Sequence, residues 1–490
     1  LRVVLDQVFN HTAASGQDAK SVLDKVVPGY YHRLNATGAV ETSTCCQNVA
    51  TEHAMGQKMM VDSVVSWARN YRVDGFRFDL MGHHSKANML AVRAALDQLT
   101  LTKDGVDGKS VYLYGEGWNF GEVADNALFT QATQGQLGGT GIGTFSDRLR
   151  DAVRGGGPFD EDPRVQGYGS GESTDDNGAV NAAGNPVNAD AATRLAHDTD
   201  LVQLGLTGNL RSFTFRSQGS GAVVNGTQVD YNGKPAGYAD QPDEVVSYVD
   251  AHDNETLFDS LTYKLPVATT MSDRIRMNTL SLATTALSQT PSFWHAGADL
   301  LRSKSLDRDS YNSGDWFNRL DWTGADNGFG HGLPPEAQNA AKWPFMKPLL
   351  ANSSLKPSEA DVQTAGAMSQ DLLRLRFSTP LFRLGSAAAI DAKVSFPASG
   401  TSDAHPGVIV MRIDDTVGAD VDSTLRGVVV VFNATPKAVT QKVTAGSGPL
   451  TLSPVQASGS DAVVKTSAYD AATSSVTVPA RTVAVFVGRN

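Results

Sequence analysis

Acidic side chains stand where apolar runs stop. "LRVVLD" ends on Asp6, with Asn10 and His11 just beyond it, and "DGFRFD" carries Arg77 two residues before Asp79. "SVYLYGE" ends on Glu116, with Trp118 two residues further on, and "EVVSYVDAHD" closes on His252 and Asp253. Burying a carboxyl group costs free energy unless it is paired or hydrogen-bonded, and each position alone has an ordinary explanation. Asp6 could be a turn residue or helix cap, Arg77 and Asp79 an ion pair on one side of a strand, and His252 a satisfied core histidine. Glu116 is harder to dismiss, because a glutamate between two glycines suits neither a helix cap nor an exposed strand. Four such ends point to one shared site, since the C-terminal ends of strands in parallel α/β folds open onto a common crevice.

Three carboxyl groups, an arginine and two histidines suit retaining glycoside hydrolysis. That reaction needs a carboxylate nucleophile and a second carboxyl group that starts protonated, about 5–5.5 Å apart, around an oxocarbenium-like transition state. Arg77 would keep Asp79 ionised and nucleophilic through opposite charge. Apolar strand residues and Trp118 would desolvate Glu116 and raise its pKa, so that it can protonate the leaving oxygen. Asp253 would place negative charge near the developing cation, with His11 and His252 hydrogen-bonding sugar hydroxyls. The chemistry itself needs no cofactor.

The elements that must position these groups alternate. The runs at 1–6, 74–79, 110–116, 244–253 and 290–296 each predict a short strand buried on both faces. Between the first two, residues 52–71 place Met55, Met59, Val64, Ala68 and Tyr71 at helical steps, and residues 86–99 and 272–289 repeat the pattern. Strand following helix following strand predicts a parallel sheet with crossover helices. The interval from about 120 to 243 is rich in Gly, Asn, Asp and Ser and predicts an insertion that forms binding surface or a lid. From about 393 onward, "GVIVMRIDD", "RGVVVVFNATP" and "SVTVPARTVAVFVG" predict an antiparallel β-sandwich with no helix.

Bulk properties narrow the partners. A net charge of −11, with no clustered Lys and Arg, argues against nucleic acid, and no apolar stretch is long enough to span a membrane. The only cysteines, Cys45 and Cys46, are adjacent, so they form no long-range staple and lack metal-ligand spacing. Asp175, Asp176 and Asn177 form a small acidic cluster that reads as a solvated loop, and no metal ligands are assigned.

"VVLDQVFNHT", "DGFRFDLMGHH", "LYGEGWNF" and "YVDAHDNET" resemble the four signature segments of the alpha-amylase superfamily of glycoside hydrolases, in that family's order. Within it, the wording is similar to type I pullulanases and limit dextrinases, as are "GTGIGTFSDRLRDAVRGGGPFD" (139–160) and "HAGADLLRSKSLDRDSYNSGDWFNRLDW" (295–322). The resemblance implies cleavage of α-1,6 branch links in pullulan and branched α-glucan dextrins. It implies Asp79 as nucleophile, Glu116 as acid/base and Asp253 as transition-state stabiliser. Asp6, His11, Arg77 and His252 would surround the sugar, Trp118 would line the acceptor side, and Asp315 would be a more distant glucose contact. Where ordinary alpha-amylases carry a lysine shortly after the nucleophile, this chain has Gly82, in keeping with a debranching enzyme.

The resemblance further implies a (β/α)8 TIM-type barrel over residues 1–390, lacking its first strands, followed by a C-terminal antiparallel β-sandwich over 391–490. The chain begins without an initiating Met or a leader, and neither the first two barrel strands nor the family's upstream "YNWGY"-like motif is present. The expectation is therefore a remaining N-terminal portion of the same protein, in the same chain or as another chain. A structural calcium is an option the family leaves open, and extracellular action is favoured. The competing readings are an isoamylase-like glycogen debrancher or α-1,4 amylase, and a catalytically silent glucan-binding relative.

Overall fold

The computed structural model describes residues 1–443 and 448–490. Its first part runs through β1 (Val4–Gln7), β2 (His11–Thr12), α1 (Leu23–Val26), β3 (Gln47–Asn48), α2 (Ala54–Tyr71), β4 (Gly75–Phe78), α3 (Lys86–Leu96), β5 (Tyr112–Gly115) and β6 (Gly143–Phe145). Four of these strands and Val245–Val246 form a five-stranded parallel sheet in the order β1, β4, β5, β6, Val245–Val246. All four residues of β4 are buried, as expected of a central parallel strand covered on both faces. Residues 1–145 with 238–246 make one compact unit, and residues 146–237 with 247–490 a second.

In the first unit, Met60, Val64 and Ala68 of α2 and Met89, Val92 and Leu96 of α3 join Phe76, Phe78 and Leu113 in one core. Burying a large apolar side chain of this kind stabilises by roughly 1.5–3 kcal/mol. The buried stripe of α2 differs from the predicted one, since Met55 and Tyr71 are exposed. Steps of four residues from Met60 hold one face of a 3.6-residue helix and Met55 is rotated off it, whereas Tyr71 lies on that face but is the last residue of the helix, where its ring packs on Trp67. The α2 helix stops at Arg72, which turns left-handed at φ 56°. A reciprocal capping box between Ser85 and Asn88 starts α3.

In the second unit, two antiparallel sheets face each other. The larger has the order Val394–Ser395, Val408–Asp414, Leu425–Asn433, Thr482–Arg489, Leu450–Leu452, and the smaller has Val439–Lys442, Ser475–Val478, Ala468–Asp470. Val410, Val429, Val431 and Phe486 of the larger sheet pack with Val476 and Val478 of the smaller. Ile409, Met411, Val428, Val430 and Phe432 turn the other way and join a core with Leu201, Val202, Met277 and Leu280 from helices. The larger sheet is thus buried on both faces, which is why "RGVVVVFN" reads as a continuous apolar run. The predicted α/β part and C-terminal antiparallel sandwich are both present, and the sandwich region, expected to lack helices, carries a short one at Pro454–Ser458 that opens on a proline.

Several predicted elements change length. The run 244–253 yields a strand only at Val245–Val246, and the run 290–296 only a single parallel bridge between Ser247 and Ser292. Past Val246 the chain leaves the ladder, and the Asp250 carboxylate accepts a hydrogen bond from the Leu257 N–H at 3.0 Å. The interval 120–243 contains strand β6 and the helices Asp147–Arg154 and Ala191–Leu206. Asp147–Arg154 is too short and too polar to stand out by periodicity, whereas Ala191–Leu206 carries Leu195, Val202 and Leu206 at helical steps inside an otherwise polar interval.

Candidate active site

Register builds the first layer of the site. Parallel pairing sets Asp6 opposite Arg77, and Arg77 opposite Tyr114 one residue-pair before Phe78 meets Gly115. The Arg77 side chain therefore lies between the ends of β1 and β5, where Asp6 and Glu116 project. Its Nη1 donates to Asp6 Oδ1 and Oδ2 at 2.8 and 3.0 Å and to Asp79 Oδ1 at 3.0 Å, and its Nη2 pairs with Glu116 Oε1 at 3.0 Å. Three carboxyl groups thus converge on one buried guanidinium. Burial alone would lower the pKa of Arg77, but Glu116, Asp6 and Asp79 hold it above its ordinary value, so it stays a fixed cation. The sequence pairs Arg77 with Asp79 alone, and the structure adds the other two.

Glu116 is buried at 8% exposure, and its second oxygen accepts from the Leu80 N–H at 2.8 Å. Leu80 adopts a left-handed φ of 39°, an unfavourable conformation for a γ-branched residue that turns the chain sharply after Asp79. The glycines around Glu116 are required by close packing. A Cβ on Gly115 would lie 2.4 Å from the Phe78 carbonyl oxygen. One on Gly82 would lie 2.0 Å from the Trp118 carbonyl oxygen, and the Gly82 N–H donates to the Glu116 carbonyl at 2.9 Å. Gly82 therefore lets the segment after Asp79 lie against the segment after Glu116.

Asn10 completes this side. With its amide nitrogen toward Asp79, it donates to Asp79 Oδ2 at 3.3 Å and to the Asp79 carbonyl at 3.2 Å, and its oxygen accepts from His11 Nδ1 at 2.8 Å. His11 is half-buried, and burial lowers its pKa against the opposing charge of Asp79. Its ring is held as the Nδ1–H tautomer, leaving Nε2 facing Cys45 Sγ at 3.4 Å. Cys45 and Cys46 are bonded to each other, so neither forms a long-range staple.

A second buried network, not visible in the sequence, lies on the loops after β2 and β5. Arg33 donates to Glu122 at 2.7 Å and to both oxygens of Glu52 at 2.9 and 2.8 Å, while Nη2 also reaches the His83 carbonyl at 3.1 Å. Burial pushes Glu122 up, yet hydrogen bonds from Ser43, Arg33 and Asn48 hold it at about 2. His83 lies edge-on to Phe120 at 4.6 Å, and burial lowers its pKa to about 4. Arg33 and Glu122 stand 89 residues apart in loops, so no spacing in the chain could have linked them.

The remaining sequence-predicted residues are less enclosed. Trp118 is half-buried. In the second unit, His252 Nε2 lies 3.7 Å from Asp253 Oδ1, both side chains are 59% exposed, and Lys304 Nζ donates to the His252 carbonyl at 2.9 Å. Asp315 is exposed and opens the short helix Asp315–Asn318. The Asp175–Asn177 cluster is not simply solvated: Asp175 pairs with Arg481 at 2.6 Å, and Asn177 Nδ2 donates to the carbonyls of Arg164 and Lys264 at 2.9 Å.

A buried cation with carboxyl groups on three sides gathers groups of the kind that exchange protons or act as nucleophiles. Residues 324–489 match the family model described as "Alpha-1,6-glucosidases, pullulanase-type, C-terminal". The chain is 46% identical over 99% of its length to "Pullulanase 1, chloroplastic" of Arabidopsis thaliana, and 42% identical over 99% to a pullulanase of Klebsiella pneumoniae, covering 51% and 43% of those proteins. Its fold superposes on a crystal structure of a maltotriose complex of PulA from Klebsiella pneumoniae with a TM-score of 0.92, at 42% identity, covering 100% of this chain and 51% of that one. The chain spans about half the length of the curated relatives it matches. It is a relative of pullulanases, as its signature segments imply.

Proposed function

We propose that this relative of pullulanases is part of a retaining glycoside hydrolase that cleaves α-1,6-glucosidic branch links in pullulan and branched α-glucan dextrins. The observation that carries the reading is the Arg77 guanidinium held at 3.0 Å from both Asp79 and Glu116. In the first step, Glu116 gives its proton to the glycosidic oxygen as the bond from that oxygen to the anomeric carbon breaks, and an Asp79 oxygen bonds to that carbon. In the second, Glu116 takes a proton from water, whose oxygen displaces Asp79 and restores both groups.

Asp253 is assigned as stabiliser of the oxocarbenium-like transition state, a role the signature segment "YVDAHDNET" supports. Asp6, His11, Arg77 and His252 are assigned to the sugar at the cleavage point, Trp118 to the acceptor side and Asp315 to a more distant glucose. Carboxyl groups perform the chemistry, so no cofactor enters either step; a structural calcium stays an option the family leaves open, with no residues assigned to it.

Residues 1–390 are read as the catalytic domain, a (β/α)8 barrel lacking its first strands, and 391–490 as the C-terminal sandwich domain. Val3, Val4 and Val8, on and beside the edge strand β1, are exposed, which supports further strands from an N-terminal portion of the same protein, in one chain or two. Among the described residues no helix is long and apolar enough to cross a membrane. Action on extracellular polysaccharide is part of the proposal. The test is digestion of pullulan by the whole protein. Maltotriose is the expected product, and inertness towards pullulan alongside cleavage of glycogen would overturn the assignment.

A further inference from the structure

The short antiparallel pairing of β2 with β3 sets His11 opposite Asn48 and Thr12 opposite Gln47. Residues 45 and 46, just before β3, are thereby drawn against His11 across a separation of 34 residues. Cys45 Sγ lies 3.4 Å from His11 Nε2, and single donor atoms of His11, Cys45 and Cys46 all fall within 4.8 Å of one another. This is the sole grouping of three or more His, Cys, Asp and Glu side chains with metal-ligand spacing among the described residues. We propose that reduction of the Cys45–Cys46 bond turns these three side chains into a site for a thiophilic divalent cation, such as zinc or cadmium.

The geometry supports a tetrahedral site with one open position. Bonds of about 2.0–2.3 Å to nitrogen and sulfur at tetrahedral angles place neighbouring donors roughly 3.3–3.8 Å apart. The Cys45–His11 separation of 3.4 Å already meets that spacing. The two sulfurs, bonded in the oxidised form, need only part to a similar distance. The imidazole is oriented for ligation, because Asn10 fixes the proton on Nδ1 and leaves the Nε2 lone pair toward the sulfurs. The backbone is held as well: the Cys46 N–H donates to Thr44 Oγ1 at 3.3 Å, and that hydroxyl donates to Asn48 Oδ1 at 2.5 Å. Cys45 is exposed, so both reductant and cation can reach it. Adjacent cysteines lack the two- to four-residue spacing of common zinc motifs, and here a strand pairing supplies the third ligand instead.

The redox step balances with a trialkylphosphine. Phosphorus is oxidised to the phosphine oxide by the oxygen of one water, the S–S bond takes up two electrons, and the two protons of that water end on the two sulfurs. Cation binding then releases the thiol protons to solvent. A bound cation occupies the imidazole that the proposed function assigns to a sugar hydroxyl, so it should block glucan cleavage; that consequence rests on the hydrolytic reading, whereas the cation site does not.

The test uses the whole protein, reduced anaerobically with a trialkylphosphine and titrated with cadmium. Thiol titration confirms two free thiols, and the sulfur-to-cadmium charge-transfer absorption reports binding. One cadmium per chain is expected, with no band in the oxidised protein or after C45S/C46S double substitution. H11A or H11N should weaken binding at least as much as loss of an outer partner does, about 10- to 100-fold. Absence of the band in protein with two free thiols overturns the site, and unchanged affinity in both folded His11 variants removes the third ligand and with it the proposal. A band without loss of pullulan cleavage leaves the cation site standing and refutes the role of His11 at the sugar.

Discussion

Glu116→Gln separates the chemistry of the site from its architecture. The two Glu116 oxygens have separate donors, the Leu80 N–H at 2.8 Å and Arg77 Nη2 at 3.0 Å. An amide keeps one acceptor and must turn its NH2 toward the other donor, which costs about 1–3 kcal/mol of stability at a buried position. Losing a general acid costs about 100- to 10,000-fold in rate, or about 3–5 kcal/mol in the barrier. Well below the melting temperature the folded fraction is unchanged, so turnover of pullulan should fall by that full factor while maltotriose binding persists. An activated α-glucoside with an acidic phenol as leaving group needs little protonation, so its first step should be spared. Its second step still lacks the base, and azide should rescue it by attacking the glycosyl-enzyme to give an α-glycosyl azide. The assay is therefore reducing-sugar release from pullulan beside phenol release with and without azide. Unchanged pullulan turnover, or equal losses on both substrates with no azide rescue, would remove Glu116 from the acid/base role.

Other expectations follow from particular contacts. Gly82→Ala forces a Cβ to within 2.0 Å of the Trp118 carbonyl, so thermal unfolding should shift down by the equivalent of about 1–3 kcal/mol, and an unshifted melting curve would contradict the packing. Burial lowers the pKa of His84 to about 3 from an ordinary 6.5, so the unfolded chain binds the extra proton between those values. Stability should therefore decline as pH falls from 6.5 toward 3, and denaturant titrations of His84→Gln should show a flatter profile there. Glu122 is held at about 2 against an ordinary 4.5, so its contribution is present above 4.5 and lost as pH falls toward 2. Glu122→Gln should be less stable at neutral pH and lose less on acidification; identical pH profiles would rule out the Arg33 network as a stabilising device.

Part of the site is legible before any folding. Asp6, Asp79 and Glu116 end short apolar runs, and a strand of four residues with buried neighbours is a local feature that β-branched and aromatic residues announce on their own. The valine runs after residue 407 likewise announce strands, because each residue there packs on one face or the other. The helices at 147–154 and 191–206 stay hidden in a polar interval, and the stripe of α2 holds at Val64 and Ala68 but is one position off at Met55 and Met59, where Gly56 and Met60 are buried instead.

Residue types, their order and their place at strand ends are fixed by the sequence, because they follow from local periodicity. Which groups touch is fixed only in three dimensions. Arg77 reaches Asp6 and Glu116 because parallel register aligns β1, β4 and β5, and His11 reaches Cys45 because β2 pairs with β3. Register depends on which side chains the whole core buries, and a slip of one residue would turn every one of these groups to the opposite face.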